Sequence, residues 1–256
     1  MSSLQVSNYT LMLSFALVLV ALYIGWKQKL GIDKDIIIGV VRAVIQLFVV
    51  GYILKFIIHS NNYFLTFAMV LVILLNAAWN AKKRGEGIPH LYWVSFIAIA
   101  VATGLTLGVL IVTKSVKFIP QQIIPITGMI AGNAMVAIGL CYRTLIATFH
   151  DRQQQVLEKL ALGADHKMAS MDILRDSIKT GMSPSIDSAK TVGIVNLPGM
   201  MAGLIFAGVD PVMAIRYQIM VTFMLLSATS IGSVIACYWA YRRFFNKQEQ
   251  LVILSK

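Results

Sequence analysis

A chain of 256 residues with 58% hydrophobic residues, 13% charged residues and a mean hydropathy of +0.76 carries more apolar surface than one water-soluble core absorbs, which excludes an ordinary globular domain. Its net charge of +11 would suggest nucleic acid in a soluble protein. Here the basic residues cluster between apolar runs, so the charge reports membrane orientation and no nucleic-acid partner.

Seven apolar runs follow in order, near residues 9–26, 36–58, 63–79, 91–113, 123–146, 186–208 and 212–239. Each approaches the roughly 20 residues needed to cross the hydrocarbon of a bilayer. Nothing basic precedes the first run, whereas Lys27 and Lys29 follow it, so it reads as a retained span with its N-terminus outside. With that orientation the Lys and Arg residues fall on the cytosolic side, except Lys55, Lys114, Lys117 and Arg216. The C-terminal tail and the polar stretch 147–184 are then cytosolic too. The expected fold is an all-α polytopic protein, one transmembrane permease domain over 1–256, multi-pass in the inner (plasma) membrane. Cys141 and Cys237 lie near the ends of apolar runs and read as small core residues with no disulfide framework.

The polar stretch is the one long segment that does not suit a bilayer. Val156, Leu157, Leu160, Ala161, Ala164, Met168, Met171, Leu174 and Ile178 recur at three- and four-residue steps, which predicts an amphipathic rod whose apolar stripe needs a partner. Leu162-Gly163-Ala164-Asp165 offers a glycine stop followed by an aspartate N-cap, so the rod is expected to be an elbow of two helices. The sixth span is expected to start near Pro184, with Ser183 as N-cap and Asp187 in the first turn.

The fifth and sixth spans share Gly-Met-x-Ala-Gly, at Gly128 to Gly132 and Gly199 to Gly203. Pro198 and Gly199 are poor helix formers together, so the sixth helix is expected to open there, and the fifth, with Pro125 before its glycines, to be broken as well, in the manner of the broken helices that build transport sites. The bland reading of these glycines, and of Gly104 and Gly108, is close helix packing. Asn133 and Asn196 are amides within spans and need hydrogen bonds. Gly128, Asn133, Asn196, Pro198, Gly199, Met200 and Met201 are therefore the candidate pathway residues, together with Gln46 one turn beyond Arg42. Met129, Met200 and Met201 are weak candidates for a soft metal ion. His59, His90, His150 and His166 lack paired-ligand spacing and read as surface residues. No ionisable residue is expected at mid-bilayer. The sequence has no G-x-x-x-x-G-K-[ST] motif, so the chain is expected to be neither an ATPase nor another enzyme, and to need no cofactor.

Leu160-Ala-Leu-Gly-Ala164, Leu174-Arg-Asp-Ser-Ile178, Met182-Ser-Pro-Ser-Ile-Asp-Ser-Ala-Lys-Thr-Val-Gly193 and Leu197-Pro-Gly-Met-Met-Ala-Gly203, with Arg42-x-x-x-Gln46-Leu and Gly128-Met-Ile-x-Gly-Asn133 upstream, resemble the signature of the FetB-like permeases. That resemblance implies the membrane subunit of an ABC transporter, exporting a metal ion such as iron and driven by two copies of a separate ATP-binding subunit under a homodimer of this chain. It also implies that the elbow is a coupling element, carried by Glu158, Leu160, Leu162, Gly163, Ala164, Met168 and Arg175. The distance from Gly163 to Pro184 exceeds that of importer loops. The alternatives are an ATP-independent channel or facilitator, or an ABC permease for another solute such as a nucleotide sugar.

Overall fold

The computed structural model describes residues 8–60, 62–246 and 248–252; Lys247 and Lys256, among the basic residues assigned above to the cytosolic side, lie outside them. The described chain is all-helical, with no strand beyond two isolated bridges. It falls into two compact units that divide between Asn61 and Asn62.

In the first unit, the run 9–26 is split into α1 (Asn8–Ser14) and α2 (Ala16–Lys27) at Phe15, which keeps helical dihedrals. A turn with positive φ at Lys29 and Gly31 leads to α3 (Asp33–Ser60), whose first turn holds Asp33 and Asp35 at the positive end of the helix dipole.

The second unit starts with α4 (Tyr63–Lys83), capped by the Asn62 side chain, which accepts from Phe64 N at 2.8 Å. It continues through α5 (Leu91–Val112), α6 (Pro120–Asp151), α7 (Gln153–Ala161), α8 (His166–Thr191), α9 (Gly199–Phe206) and α10 (Pro211–Ala240), with a final 3-10 turn at Tyr241–Phe244. Five helices (α3, α4, α5, α6 and the run from α10 to Phe244) are long and apolar enough to cross a membrane. The other two expected spans differ. One is the divided run at the N-terminus, and the other, 186–208, is no continuous helix.

The helix expected to begin at Pro184 begins instead at His166 and runs through Pro184 to Thr191. Ser183 is not a cap: its hydroxyl donates to the Lys179 carbonyl. Packing overrides the local start signal. Gly181 of α8 is buried against α6, where an added Cβ would collide with Cys141 Sγ and lie 2.8 Å from the Ala137 carbonyl oxygen, so the helix is already under way and held against α6 three residues before the proline. The expected break in the fifth span is likewise absent, since α6 is continuous across Pro125, Gly128 and Gly132.

Helix α6 occupies the centre, packed on α4, α5, α8 and α10. Small residues, Ala131, Ala134 and Cys141 of α6, Ala78 and Ala81 of α4 and Ala236 and Cys237 of α10, share one buried cluster with Ile138, Tyr142 and Leu145 of α6, and small residues let helices approach closely. Both cysteines are free and buried. Tyr142 is fully buried and its hydroxyl pairs with Ser95 Oγ at 3.1 Å, so the polar tip is satisfied. The close-approach glycines of the second unit are Gly85, Gly139 and Gly181, and in the first unit a Cβ at Gly25 would lie 2.6 Å from Asp33 Oδ1; at Gly104, Gly108, Gly128, Gly132, Gly199 and Gly203 a methyl would meet nothing within 4 Å. The small-residue spacing is therefore not used for packing within this chain.

The ends of these helices carry interfacial chemistry. Trp79, Tyr92 and Trp93 form an edge-to-face ladder where α4 ends and α5 begins, and Lys82 Nζ sits 5.2 Å over the Trp79 ring. At the opposite ends, Tyr63 stacks on Phe118 at 5.9 Å. Aromatic residues at two levels, with Phe67, Leu105 and Val109 exposed between, mark the two faces of a bilayer.

Replacing Gly181 with Ala is expected to destabilise the protein by about 1–3 kcal/mol through overpacking against α6, seen as a lower melting temperature in detergent. Gly203→Ala, which meets open space, leaves the melting temperature unchanged or raises it.

Candidate functional site

Two places gather the residues singled out by the sequence. The first is a cleft of about 330 Å³ between α6, α8, α10 and the stretch that joins α8 to α9. This joint is a true interruption. The Thr191 carbonyl accepts from the N–H groups of Ile194, Val195 and Asn196, Gly193 takes a positive φ of 85° and donates to the Asn196 carbonyl at 2.9 Å, and the chain turns helical again after Pro198. The opening thus ends at the predicted Pro198–Gly199 pair but starts six residues earlier. At its far end Gly208 takes φ +87° and Asp210 caps α10 by accepting from Val212 N and Met213 N, so this carboxylate is a cap.

Of the predicted pathway residues, Asn133, Asn196, Pro198, Gly199 and Met200 line this one cleft, as does Met129. The Asn133 amide donates one of its two N–H hydrogens to the Met129 carbonyl at 2.9 Å. Met201 does not belong: adjacent helical residues point about 100° apart, and it is buried while Met200 lines the opening. Gly128 is not on the wall, and Gln46 lies in the first unit.

The sequence reading missed Gln218. It sits on α10 in the cleft wall, 8% exposed, and its Oε1 has no hydrogen-bond partner among the described residues. An orphaned buried carbonyl oxygen costs about 1–3 kcal/mol, an expense that a ligand donor or metal ion would recover. The signal was present as a lone glutamine in an apolar run, overshadowed by its neighbour Arg216. Ser185, Ser188 and Thr222 add hydroxyls. Beside them, on the last two turns of α8, Asp187 and Lys190 form an exposed pair at 3.4 Å. These ionisable groups lie beside the cleft.

The second place is the elbow. Helix α7 stops at Gly163 (φ +90°), a left-handed position that glycine adopts without steric cost. Helix α8 starts at Asp165, whose carboxylate accepts from Met168 N, as the sequence predicted. Two ion pairs tie the region together, Lys159 Nζ to Asp172 Oδ2 and Arg152 Nη1 to Asp176 Oδ2, each at 2.9 Å. The bond from Lys159 holds the Asp172 carboxyl below the usual carboxylate range. That contribution is present above the ordinary carboxylate pKa and is lost only as pH falls through the lowered one, so the clamp is complete at neutral pH. Arg175 lies 4.0 Å from Asp172 Oδ1, and Glu158 accepts from the Gln154 amide at 3.1 Å.

The predicted stripe divides in two. Val156 and Leu174 are buried, with Leu160 and Ile178 packed beside them on the core. Leu162 is 88% exposed and Met168 66% exposed; with Ala164 and Met171 they floor a hollow rimmed by Lys159, Asp172 and Arg175. Leu160 thus holds the elbow to the bundle, and Leu162 takes the outward position. His166 is no simple surface residue: its ring stacks on Tyr241 at 5.9 Å, and Nδ1 lies 3.2 Å from Glu249 Oε1.

A helical bundle at membrane level, with an interrupted helix walling a polar cleft, has the architecture of a membrane permease. The chain belongs to the family described as Uncharacterised protein family (UPF0014), whose model matches residues 8–245. It is 56% identical over 253 residues to the probable iron export permease protein FetB of Escherichia coli (strain K12), covering 99% of this chain and 98% of that one. It is 34% identical to the membrane protein YjkA of Bacillus subtilis (strain 168), over 94% of this chain and 97% of the relative. A plant relative, Protein ALUMINUM SENSITIVE 3 of Arabidopsis thaliana, is 32% identical over 93% of this chain and 87% of its own length. No solved structure matches the chain. These relatives and the apolar helices agree on a multi-pass inner-membrane permease.

Gln218→Leu removes the orphaned oxygen at nearly constant volume. It is expected to leave the melting temperature equal or higher and to reduce transport in cells, measured as the change in cellular content of the transported species.

Proposed function

We propose that this chain is the membrane subunit of an ATP-driven exporter, working as a homodimer above two copies of a cytosolic ATP-binding subunit and exporting iron or a related metal. The observation that carries the reading is the elbow: an apolar floor of Leu162, Ala164, Met168 and Met171 inside a charged rim, the arrangement of a protein-protein contact with a hydrophobic centre and a polar border. Its position between the ends of α6 and the start of α8 connects whatever docks there to the two helices that wall the cleft. Similarity to a protein named as a probable iron export permease supports the direction and cargo.

In this reading ATP binding draws two elbows together, and α8 carries the motion to Ser185, Ser188 and the joint before α9. The exposed Asp187–Lys190 pair faces the aqueous route formed by two copies, since charged side chains at membrane depth turn to water or to each other. The cleft is lined by the amides of Asn133, Asn196 and Gln218, hydroxyls and the thioethers of Met129 and Met200. Among the described residues no group of three or more His, Cys, Asp or Glu side chains could hold a metal ion. The lining therefore favours a cargo with its own hydrogen-bonding groups, either a metal ion that keeps part of its ligand shell or, as a second reading, another small polar solute.

Ala164→Asp places an unpaired carboxylate in the floor of the hollow, which is strongly destabilising to a buried contact. It is expected to abolish transport and co-purification of the ATP-binding subunit while leaving the amount of protein in the membrane unchanged. Normal co-purification with normal transport removes the docking role. Orientation is tested separately in intact cells. Cysteine at Ser115 is expected to react with an impermeant thiol reagent, and cysteine at Gly163 is expected to remain unlabelled.

A further inference from the structure

A second cavity, of about 430 Å³, opens where the C-terminal ends of α4, α6 and α10 come together. Arg84 and Arg143 border it, and neither side chain has an ion pair or hydrogen bond among the described residues. Arg84 is held in place. Its stem crosses Gly139 of α6, where an added Cβ would collide with its Cδ and lie 3.3 Å from its Cβ and Cγ. The carboxylate on the rim, Asp151, faces His150 at 3.6 Å, not the arginines.

With Gln153 and His150 as the other polar side chains of the lining, an apolar wall is formed by Ile146, Phe244, Leu251 and Val252. The last two arrive because the tail folds back: Phe245 bridges to Leu251, and Val252 N donates to the Phe244 carbonyl at 2.8 Å. The level is set by the Trp79–Tyr92–Trp93 ladder at the same helix ends, which is where headgroups lie.

We propose that this cavity binds the phosphate headgroup of an anionic phospholipid, with the two guanidiniums on the phosphate and the glycerol and first acyl carbons on the apolar wall. Guanidinium forks match phosphate oxygens, and basic pockets between transmembrane helices suit anionic headgroups. A free phosphate would use Arg84 and Arg143 but leave Ile146, Leu251 and Val252 uncovered, whereas a lipid occupies both halves. Because Glu249 of the same tail reaches His166 at the start of α8, an occupied pocket also steadies the elbow. The assignment stands whether or not the elbow docks an ATPase.

The test uses the full chain purified in detergent and titrated with dioctanoyl phosphatidylglycerol, with dioctanoyl phosphatidylcholine and inorganic phosphate as comparison probes, bound lipid being counted by native mass spectrometry. Phosphatidylglycerol is expected to bind at least tenfold more tightly than phosphatidylcholine, and Arg143→Gln and Arg84→Met each to weaken it about fivefold. Arg84→Met keeps the packed stem, and if it nevertheless misfolds, the exposed Arg143 carries the test by itself. Equal binding of the two lipids, or unchanged binding in Arg143→Gln, overturns the proposal. Displacement of phosphatidylglycerol by equimolar inorganic phosphate overturns it too, by marking a site for small anions.

Discussion

The close approach of α8 to α6 at Gly181 is the contact on which the rest of the second unit depends. A side chain there would meet the Cys141 sulfur and the Ala137 carbonyl, so the absence of a Cβ sets the separation of the two helices. With that separation fixed, Ser177 and Leu174 are buried one and two turns earlier, and Ser185, Ser188 and Ala189 reach the cleft on the other side. Both functional candidates therefore hang from one point of steric contact. The small-residue layers of α4, α6 and α10 extend the same logic, since alanines and cysteines trade side-chain volume for proximity where hydrocarbon outside offers no hydrophobic gain for association.

The cleft shows how a bundle at membrane level tolerates polar chemistry. Interrupting the chain between Thr191 and Pro198 would strand backbone groups, but the Thr191 carbonyl accepts from three successive N–H groups and Gly193 returns a bond to Asn196. The backbone is thus largely self-satisfied around the opening, and irregular structure at this depth is acceptable where it borders a cavity. What is left unsatisfied is a side-chain oxygen, Gln218 Oε1. Other buried side-chain atoms also lack a hydrogen-bond partner among the described residues, the hydroxyls of Thr103, Thr127, Ser170 and Ser233 among them, but Gln218 is the one of these that lines the cleft, within reach of a visitor.

Local signals were legible in the sequence wherever the chain answers to its immediate neighbours. The glycine at 163 and the aspartate at 165 define the elbow without help from distant residues, and the Pro198–Gly199 pair marks the end of the interruption. The reading failed where tertiary contact outranks a local rule. Ser183, Pro184 and Asp187 spell a helix start, but a helix already under way and pinned at Gly181 runs through them. Periodicity put Leu160 and Met168 on one apolar stripe, yet only packing against neighbouring helices decides that Leu160 turns to the core and Met168 outward. Pairs of glycines at four-residue spacing suggested contact in α6 and α9, while the glycines of the second unit that do make contact, Gly85, Gly139 and Gly181, stand alone in the sequence because their partners come from other helices.

Helix α8 is one uninterrupted element from the elbow to the cleft, 26 residues and so about 39 Å long. Its arm from His166 to the Gly181 contact is about 22 Å long, so a displacement of about 2 Å at the elbow corresponds to a tilt of about 5° about that contact. The rod is not uniformly stiff. Pro184 withholds the hydrogen bond that the Thr180 carbonyl would otherwise accept, three residues beyond the Gly181 clamp and on the cleft side of it. Compliance is concentrated there, so the segment that lines the cleft can bend while the segment that meets the elbow stays rigid, and the clamp serves as the fulcrum between a stiff handle and a flexible tip.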